Sequence, residues 1–232
     1  MATMSRQQAP QVPIQRWANG SWIEVDDRVA AEEPLQLSLD GLALSVVMRT
    51  PGNDVELALG LLRAEKVIES LADVAFIRVS AESPVLDERV RIESDLIESN
   101  QVDVHLGPTA AHRPERSFLS SSACGVCGAT TVESLTLDFP RLAAEPVISA
   151  SLLPLLADRL RQGQAVFEAT GGLHAAGLFS PDGALLTARE DLGWHNAVDR
   201  ASGETSSKAI CRPRTGFSPS AGGPGTRWSR RQ

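Results

Sequence analysis

Residues 35–70 read LQLSLDGLALSVVMRTPGNDVELALGLLRAEKVIES, and the period of the apolar residues changes once inside this stretch. Leu35, Leu37 and Leu39 alternate with polar residues, Asp40-Gly41 offers a turn, and Leu42, Leu44, Val46 and Met48 alternate again. Period-two alternation on both sides of an Asp-Gly pair predicts a β-hairpin with one buried face. Pro51-Gly52 breaks the chain, and Asn53 with Glu56 forms a cap-like N-x-x-E helix start. Beyond it Val55, Leu59 and Leu62, with Leu57 and Leu61, recur at helical spacing. A hairpin that runs directly into an amphipathic helix marks this part of the chain as an α+β unit.

Working outward, RWANGSWIEV at 16–25 places Asn19-Gly20 between two Trp-bearing runs, a second hairpin signal. Short strands are expected near 74–79, 88–92 and 101–106, which makes residues 14–106 an N-terminal α+β unit with an antiparallel sheet. Residues 107–123 (GPTAAHRPERSFLSSSA) are rich in Pro and Ser and lack periodicity, so they read as a linker loop. SLLPLLADRLRQ at 151–162 reads as an amphipathic helix with Pro154 in its first turn and Gly163 just past its end. Pro181-Asp182-Gly183 separates two strand-like runs, 174–179 and 184–189, and a helix is expected from about Asp191, carrying His195, Asn196 and Asp199. No internal repeat is present.

The chain of 232 residues is 42% hydrophobic, ample for a core. It contains no run of eighteen apolar residues, and its N-terminus (MATMSRQQAPQVPIQ) has no apolar signal-like stretch, so neither a membrane span nor secretion is expected. Three cysteines cannot build a disulfide framework, which points to a reducing cytoplasm. A formal net charge of −7 argues against a nucleic-acid binder held by phosphate contacts.

Cys124-Gly125-Val126-Cys127-Gly128 is the focal chemical motif. Two thiols three apart, flanked by glycines, predict a turn whose neighbouring dipoles and second sulfur favour thiolate, the nucleophile of disulfide exchange and persulfide transfer. A structural zinc site needs four ligands. No second C-x-x-C exists, Cys211 stands alone, and the spacings of His105, His112 and His174 fit no common pattern, so no metal site is expected. A thioredoxin-like dithiol sits between a strand and a helix, whereas this one follows a Pro/Ser-rich loop. A zinc deaminase requires H-x-E followed by P-C-x-x-C, but here His174-Ala175-Ala176, His195-Asn196-Ala197 and Ala123 before Cys124 break the pattern. The bland reading is a tight turn with two small buried thiols, against which Ser120, Ser121 and Ser122 speak.

Two further stretches carry polar chemistry. Thr170-Gly171-Gly172 is backbone that a ligand can approach closely, with His174 directly after, although a Gly-Gly turn before a strand with a satisfied core histidine reads equally well. In REDLGWHNAVD, 189–199, His195 and Asp199 share a helix face, so that the carboxylate can orient the imidazole; a surface ion-pair cluster is the competing reading.

Taken together, AEEPLQL at 31–37, MRTPGNDVELALGLLRAEKVIES at 48–70, SSACGVCG at 121–128, TGGLHAAGLF at 170–179 and REDLGWHNAVDR at 189–200 resemble, in order and spacing, the formate dehydrogenase accessory sulfurtransferases of the FdhD/NarQ family. The resemblance covers roughly 14–200. It implies a cytidine-deaminase-like α/β/α domain, here 124–200 and incomplete at its C-terminus, beside the smaller α+β unit. It implies a cytoplasmic homodimeric sulfur carrier and sulfurtransferase. Such a carrier takes sulfur from a cysteine desulfurase as a cysteine persulfide and passes it to the molybdenum or tungsten bis-pyranopterin guanine dinucleotide cofactor for formate dehydrogenase. That cofactor is a transient substrate, and none is held permanently. By the same resemblance Cys124 is the persulfide-bearing residue and Cys127 its partner, while Gly171, Gly172, His174, Glu190, Asp191, His195 and Asn196 line the cofactor side. Trp194 stands where the family usually carries Arg, replacing a guanidinium with a stacking ring and a single donor.

The family pattern stops after Arg200. Residues 201–232 hold six Lys/Arg against one acid, with five Gly, three Pro and six Ser, so they are expected to be a disordered basic tail. Back-translating GFSPSAGGPGTRW, 216–228, and reading one nucleotide upstream admits LLAVSGRARYEMV, which contains the S-G-R-x-x-x-E-M-V run expected of the family. The expectation is a frameshift between about 200 and 216. The alternatives are a remnant that only binds the desulfurase or formate dehydrogenase, and a small zinc-binding module.

Overall fold

A computed structural model of the chain describes residues 8–79, 91–93, 100–110 and 148–211, with side chains at 91–93 and 206–211 excepted. Both expected N-terminal hairpins form. β1 (Gln11–Ala18) and β2 (Ser21–Arg28) pair antiparallel across Asn19-Gly20, and β3 (Glu33–Leu39) and β4 (Leu42–Arg49) across Asp40-Gly41. In each turn both central residues have positive φ, 51° and 83° in the first and 52° and 82° in the second. Two successive positive-φ residues give the type I′ geometry that matches strand twist, which is why Asn-Gly and Asp-Gly stand there.

The helix α1 (Asp54–Ala64) follows as expected, but its start differs from a capping box. Asn53 is left-handed at φ 52° and its side chain caps nothing. Asp54 instead pairs bidentately with the buried Arg49, at 2.9 Å for both bonds, and Glu56 turns inward. The charge-assisted Arg49–Asp54 fork thus ties the end of β4 to the first turn of α1, which has no side-chain cap.

A short 3-10 turn (Leu71–Asp73) leads into β5 (Val74–Val79), followed by β6 (Arg91–Glu93) and β7 (Gln101–Leu106). The main sheet has the order β4-β3-β7-β5-β6 and is mixed, not antiparallel: β3 runs parallel to β7, and β5 to β6. The chain passes through β4, α1 and β5 before β7 returns beside β3, and such a crossover leaves no trace in local alternation. Leu35, Leu37, Leu39, Ile77, Val79, Val102 and Val104 point to one face, where α1 lays Val55, Leu59 and Leu62. Burying an aliphatic side chain of this size contributes about 1.5–3 kcal/mol.

The remainder comprises α2 (Leu152–Gln162), ended by Gly163 as expected, and the short α3 (Ala165–Thr170). The hairpin β8 (His174–Phe179) and β9 (Leu185–Asp191) precedes α4 (Trp194–Cys211). Two expectations are corrected here. Asp191 closes β9, and α4 begins three residues later, because the Asp191 side chain accepts the Gly193 amide and caps the turn. The body also does not end at residue 200, since α4 continues to Cys211 with Ala201, Gly203 and Glu204 buried.

The cause is a glycine crossing. A Cβ on Gly60 of α1 would collide with the Asp199 carbonyl, and one on Gly203 of α4 would collide with the Glu56 carbonyl. The two backbones therefore touch, and α1 is enclosed between the sheet and α4, with Val55 to Leu62 all buried. The N-terminal unit and the second half of the chain are joined through this helix pair. No helix among the described residues is long and apolar enough to cross a membrane.

Candidate functional site

The end of β9 and the first turn of α4 carry four of the sequence-predicted site residues, Glu190, Asp191, His195 and Asn196. Asp191 is 0% exposed. Its Oδ1 accepts from the Gly193 amide and from Asn196 Nδ2, both at 2.9 Å. Its Oδ2 accepts the Thr50 amide at 3.2 Å and meets Arg200 Nη2 at 2.8 Å. Four donors satisfy one buried carboxylate, as burial of such a charge requires.

Thr50 mirrors Asp191 from the other side. Its Oγ1 accepts the Leu192 amide at 3.1 Å, and its carbonyl accepts from Arg200 Nη2. Asn196 donates also to the Met48 carbonyl at 2.8 Å, so both strands' ends are tied to the first turn of α4. Burial pulls the Arg200 guanidinium below the usual arginine range, while the Asp191 carboxylate opposes that shift.

Glu190 has a different task. Its two carboxylate oxygens accept the amides of Val166 at 3.0 Å and Phe167 at 2.7 Å, holding the first turn of α3. The preceding Arg189 pairs bidentately with Glu56 on α1, at 2.5 and 2.9 Å, and with Glu204 on α4 at 3.0 Å. The hydrogen bonds that Arg189 donates to Glu56, ahead of the opposing effect of burial, hold the Arg189 pKa above its usual value. Between these groups opens a polar cleft of about 110 Å³, lined among others by Thr50, Asn53, Val166, Arg189 and Glu190.

His195 lies in the first turn of α4, where its Nδ1 is buried without a hydrogen-bond partner. The expected orientation of this ring by Asp199 does not occur. Asp199 is set near Glu65 at the end of α1, and burial first, then Glu65, raises its pKa to about 7. Burial and a neighbouring carboxylate both favour the neutral form of the acid. Trp194 covers His195 with ring centroids 3.5 Å apart, and Trp194 itself is 56% exposed.

Gly171, Gly172 and His174 come to the same end of the β8–β9 hairpin, because His174 pairs with Asp191. Gly171 is left-handed at φ 73°, ending α3, and a Cβ on either glycine would meet open space. His174 is exposed rather than a core histidine. Cys124 and Cys127 lie outside the described residues. Among the described residues no group of three or more His, Cys, Asp or Glu is arranged to hold a metal ion.

Sequence reasoning named Glu190, Asp191, His195 and Asn196, but missed Thr50 and Arg200, which bond to Asp191, and Arg189, Glu56 and Glu204, which tie β9 to α1 and α4. For Thr50, Arg189 and Arg200 the available signal was the charged and polar residues of RTPGND at 49–54 and REDLGWHNAVDR at 189–200, whereas Glu56 and Glu204 lie outside both stretches.

The profile of the FdhD/NarQ family matches residues 30–215. A protein of Nocardia farcinica named sulfur carrier protein FdhD is 42% identical over 183 residues, covering 78% of this chain and 62% of that protein. One of the same name from Mycolicibacterium paratuberculosis is 40% identical over 190 residues, covering 79% and 66%. Another from Sulfolobus acidocaldarius is 36% identical over 196 residues, covering 84% and 69%. The chain thus spans somewhat less than two thirds of the first two relatives. A crystal structure of a protein described as a formate dehydrogenase accessory protein, from Desulfotalea psychrophila, superposes with a TM-score of 0.63 at 19% identity. It covers 87% of this chain and 70% of that one, and the likeness establishes the mixed α/β fold.

Proposed function

Because the chain belongs to the FdhD/NarQ family, we propose that it is a sulfur carrier that serves the maturation of a formate dehydrogenase. The observation that carries this reading is the C-x-x-C pair at 124–127 in a chain whose matched relatives bear the name sulfur carrier.

The chemistry follows from the two thiols. The Cys124 thiolate attacks the terminal sulfur of a persulfide on a cysteine desulfurase; an S–S bond forms on Cys124 as the donor's S–S bond breaks, and the donor leaves as a thiolate. Cys127 then attacks the inner sulfur of Cys124, forming a disulfide and releasing hydrosulfide, and a dithiol reductant restores both thiols. The acceptor is the molybdenum or tungsten bis-pyranopterin guanine dinucleotide, taken as a substrate. Reduced thiols place this cycle in a reducing compartment, the cytoplasm.

The end of the β8–β9 hairpin supplies the docking face for that substrate. Gly171 and Gly172 allow close approach, His174 is exposed beside them, and the Glu190–Asn196 turn is held rigid by its buried network. Glu190, Asp191 and Asn196 serve the substrate by fixing this turn, since their polar atoms are engaged within the protein.

The test is to supply a cysteine desulfurase and cysteine and to measure the tryptic peptide holding Cys124 and Cys127. The expected mass gain is about 32 Da, one sulfur atom, as the covalent intermediate requires. Full gain in Cys124→Ala moves the role to Cys127, and no gain with either cysteine present ends the sulfur-carrier reading.

A further inference from the structure

The geometry points to one face of the β1–β2 hairpin as a docking surface for an extended basic polypeptide segment with Arg or Lys at alternate positions. The proposal goes beyond the sulfur chemistry and does not depend on it.

The hairpin stands outside the main sheet as a two-stranded sheet of its own. Its register sorts the side chains onto two faces. On one, Val12, Ile14, Ala18, Val25 and Asp27 are half-buried. On the other, Pro13, Gln15 and Trp17 of β1 lie opposite Asp26, Glu24 and Trp22 of β2, and all six are exposed. Trp17 and Trp22 leave 58% and 65% of their surface in solvent. The two largest apolar side chains of the hairpin thus stand on its wet face, the reverse of the usual sorting in a sheet with one face covered. Their mutual contact, edge to face at 5.2 Å and 66°, steadies a lone hairpin. It leaves most of each ring open, next to two acids.

The charges choose the partner. Glu24 and Asp26 follow Trp22 on the same face at two-residue intervals, and no Lys or Arg stands among the six positions. Arg16, between Gln15 and Trp17, projects from the other face, where it pairs with Asp27 at 3.1 Å. Open indole faces beside carboxylates draw a cation, because ring quadrupole and acid attract the same guanidinium or ammonium. Alternate residues of an extended chain lie about 6.6–6.8 Å apart on one side. Trp22, Glu24 and Asp26 are spaced by that same interval along β2, so a segment with a basic residue at every second position meets all three in register. The same charges disfavour other occupants. A second copy laid face to face brings acids against acids, and a nucleic acid or an anionic lipid surface is repelled.

The experiment follows a dye-labelled peptide, GRGRGRG, by fluorescence anisotropy on the full chain. Its isomer GGRRRGG carries the same charge without the alternation. Glu24→Gln/Asp26→Asn removes the acids without changing side-chain shape at exposed positions, and the exciton couplet of the two indoles in circular dichroism is expected to survive it. Trp17→Val/Trp22→Val keeps a β-branched cross-strand pair and removes the π-faces. Affinity for GRGRGRG is expected to fall about fivefold in each variant, the scale of two exposed ion pairs or two exposed cation–π contacts, and GGRRRGG is expected to bind wild type more weakly. Wild-type affinity in either variant, equal affinity for the two peptides, or no binding of GRGRGRG overturns the proposal. Binding that appears only in Arg227→Gln/Arg230→Gln/Arg231→Gln assigns the face to the chain's own basic C-terminal residues. Self-association abolished by Trp17→Val/Trp22→Val assigns it to a second copy. Either result likewise overturns an external basic partner.

Discussion

Asp191 and Arg200 meet at 2.8 Å with 0% and 1% of their side chains exposed, one at the end of β9 and the other two turns into α4. The pair works as a clamp rather than as a surface ion pair, because Thr50 lies between them and bonds to both. Removing one partner leaves the other charge buried and alone. Asp191→Ala is therefore expected to destabilise the protein by about 3–5 kcal/mol. The double variant Asp191→Ala/Arg200→Met should lose less than the sum of the two single losses, since no charge is then left unpaired. Urea unfolding of the four proteins gives the coupling, and strict additivity would disprove the clamp.

Arg189 presents a related case with the opposite excess. One guanidinium answers two buried carboxylates, Glu56 and Glu204, and so links β9 to both α1 and α4. Arg189→Met strips the cation from two acids, and a loss of about 3–5 kcal/mol is expected. Arg189→Lys keeps the charge but not the planar fork, so it should recover only part of that loss. A lysine variant with wild-type stability in denaturant would show that charge alone is required.

What the sequence revealed and what it hid divide along the range of the interaction. Asn19-Gly20, Asp40-Gly41 and Gly163 act on their own neighbours, and the hairpins and the end of α2 form where those residues predict. Spacing makes Glu56 part of a local cap, yet its partner Arg189 lies 133 residues away. Spacing matches His195 with Asp199, but Asp199 lies near Glu65, just past the end of α1. At the C-terminal side, composition averaged over 201–232 concealed Ala201 and Glu204, which continue the buried face of α4 begun by Ala197 and Arg200. The Arg-, Pro- and Gly-rich residues that dominate that average come later in the chain.

The glycine crossing makes that last point testable. Gly203→Ala places a methyl against the Glu56 carbonyl, and Gly60→Ala places one against Asp199. Elsewhere in a helix the change from glycine to alanine gains roughly 1 kcal/mol through propensity. Here the main chains must separate, and overpacking of this kind loses about 1–3 kcal/mol or more. Both variants should melt below the wild type, and truncation after Arg200 should be worse than either because it removes Ala201, Gly203 and Glu204 together. Thermal melts settle the sign, and a stabilised Gly203→Ala would mean that the helices are not in contact.

Asp199 gives the molecule a specific pH dependence. Burial first, and Glu65 second, raise its pKa from 3.8 to about 7, so the folded state holds a proton that the unfolded chain releases. Where the folded state binds more protons, stability falls as pH rises. The contribution is fully present below about pH 4, declines through the interval up to about 7, and is absent above it, where the buried carboxylate must ionise. At 1.36 kcal/mol per pKa unit this amounts to about 4 kcal/mol at most. Asp199→Asn removes the titration while keeping the shape of the side chain. The difference in unfolding free energy between wild type and Asp199→Asn is expected to move in the variant's favour between pH 5 and pH 8, with most of the change from 5 to 7. A difference that is flat across that range would mean that Asp199 is ionised in the fold throughout, and its burial beside Glu65 would need another explanation.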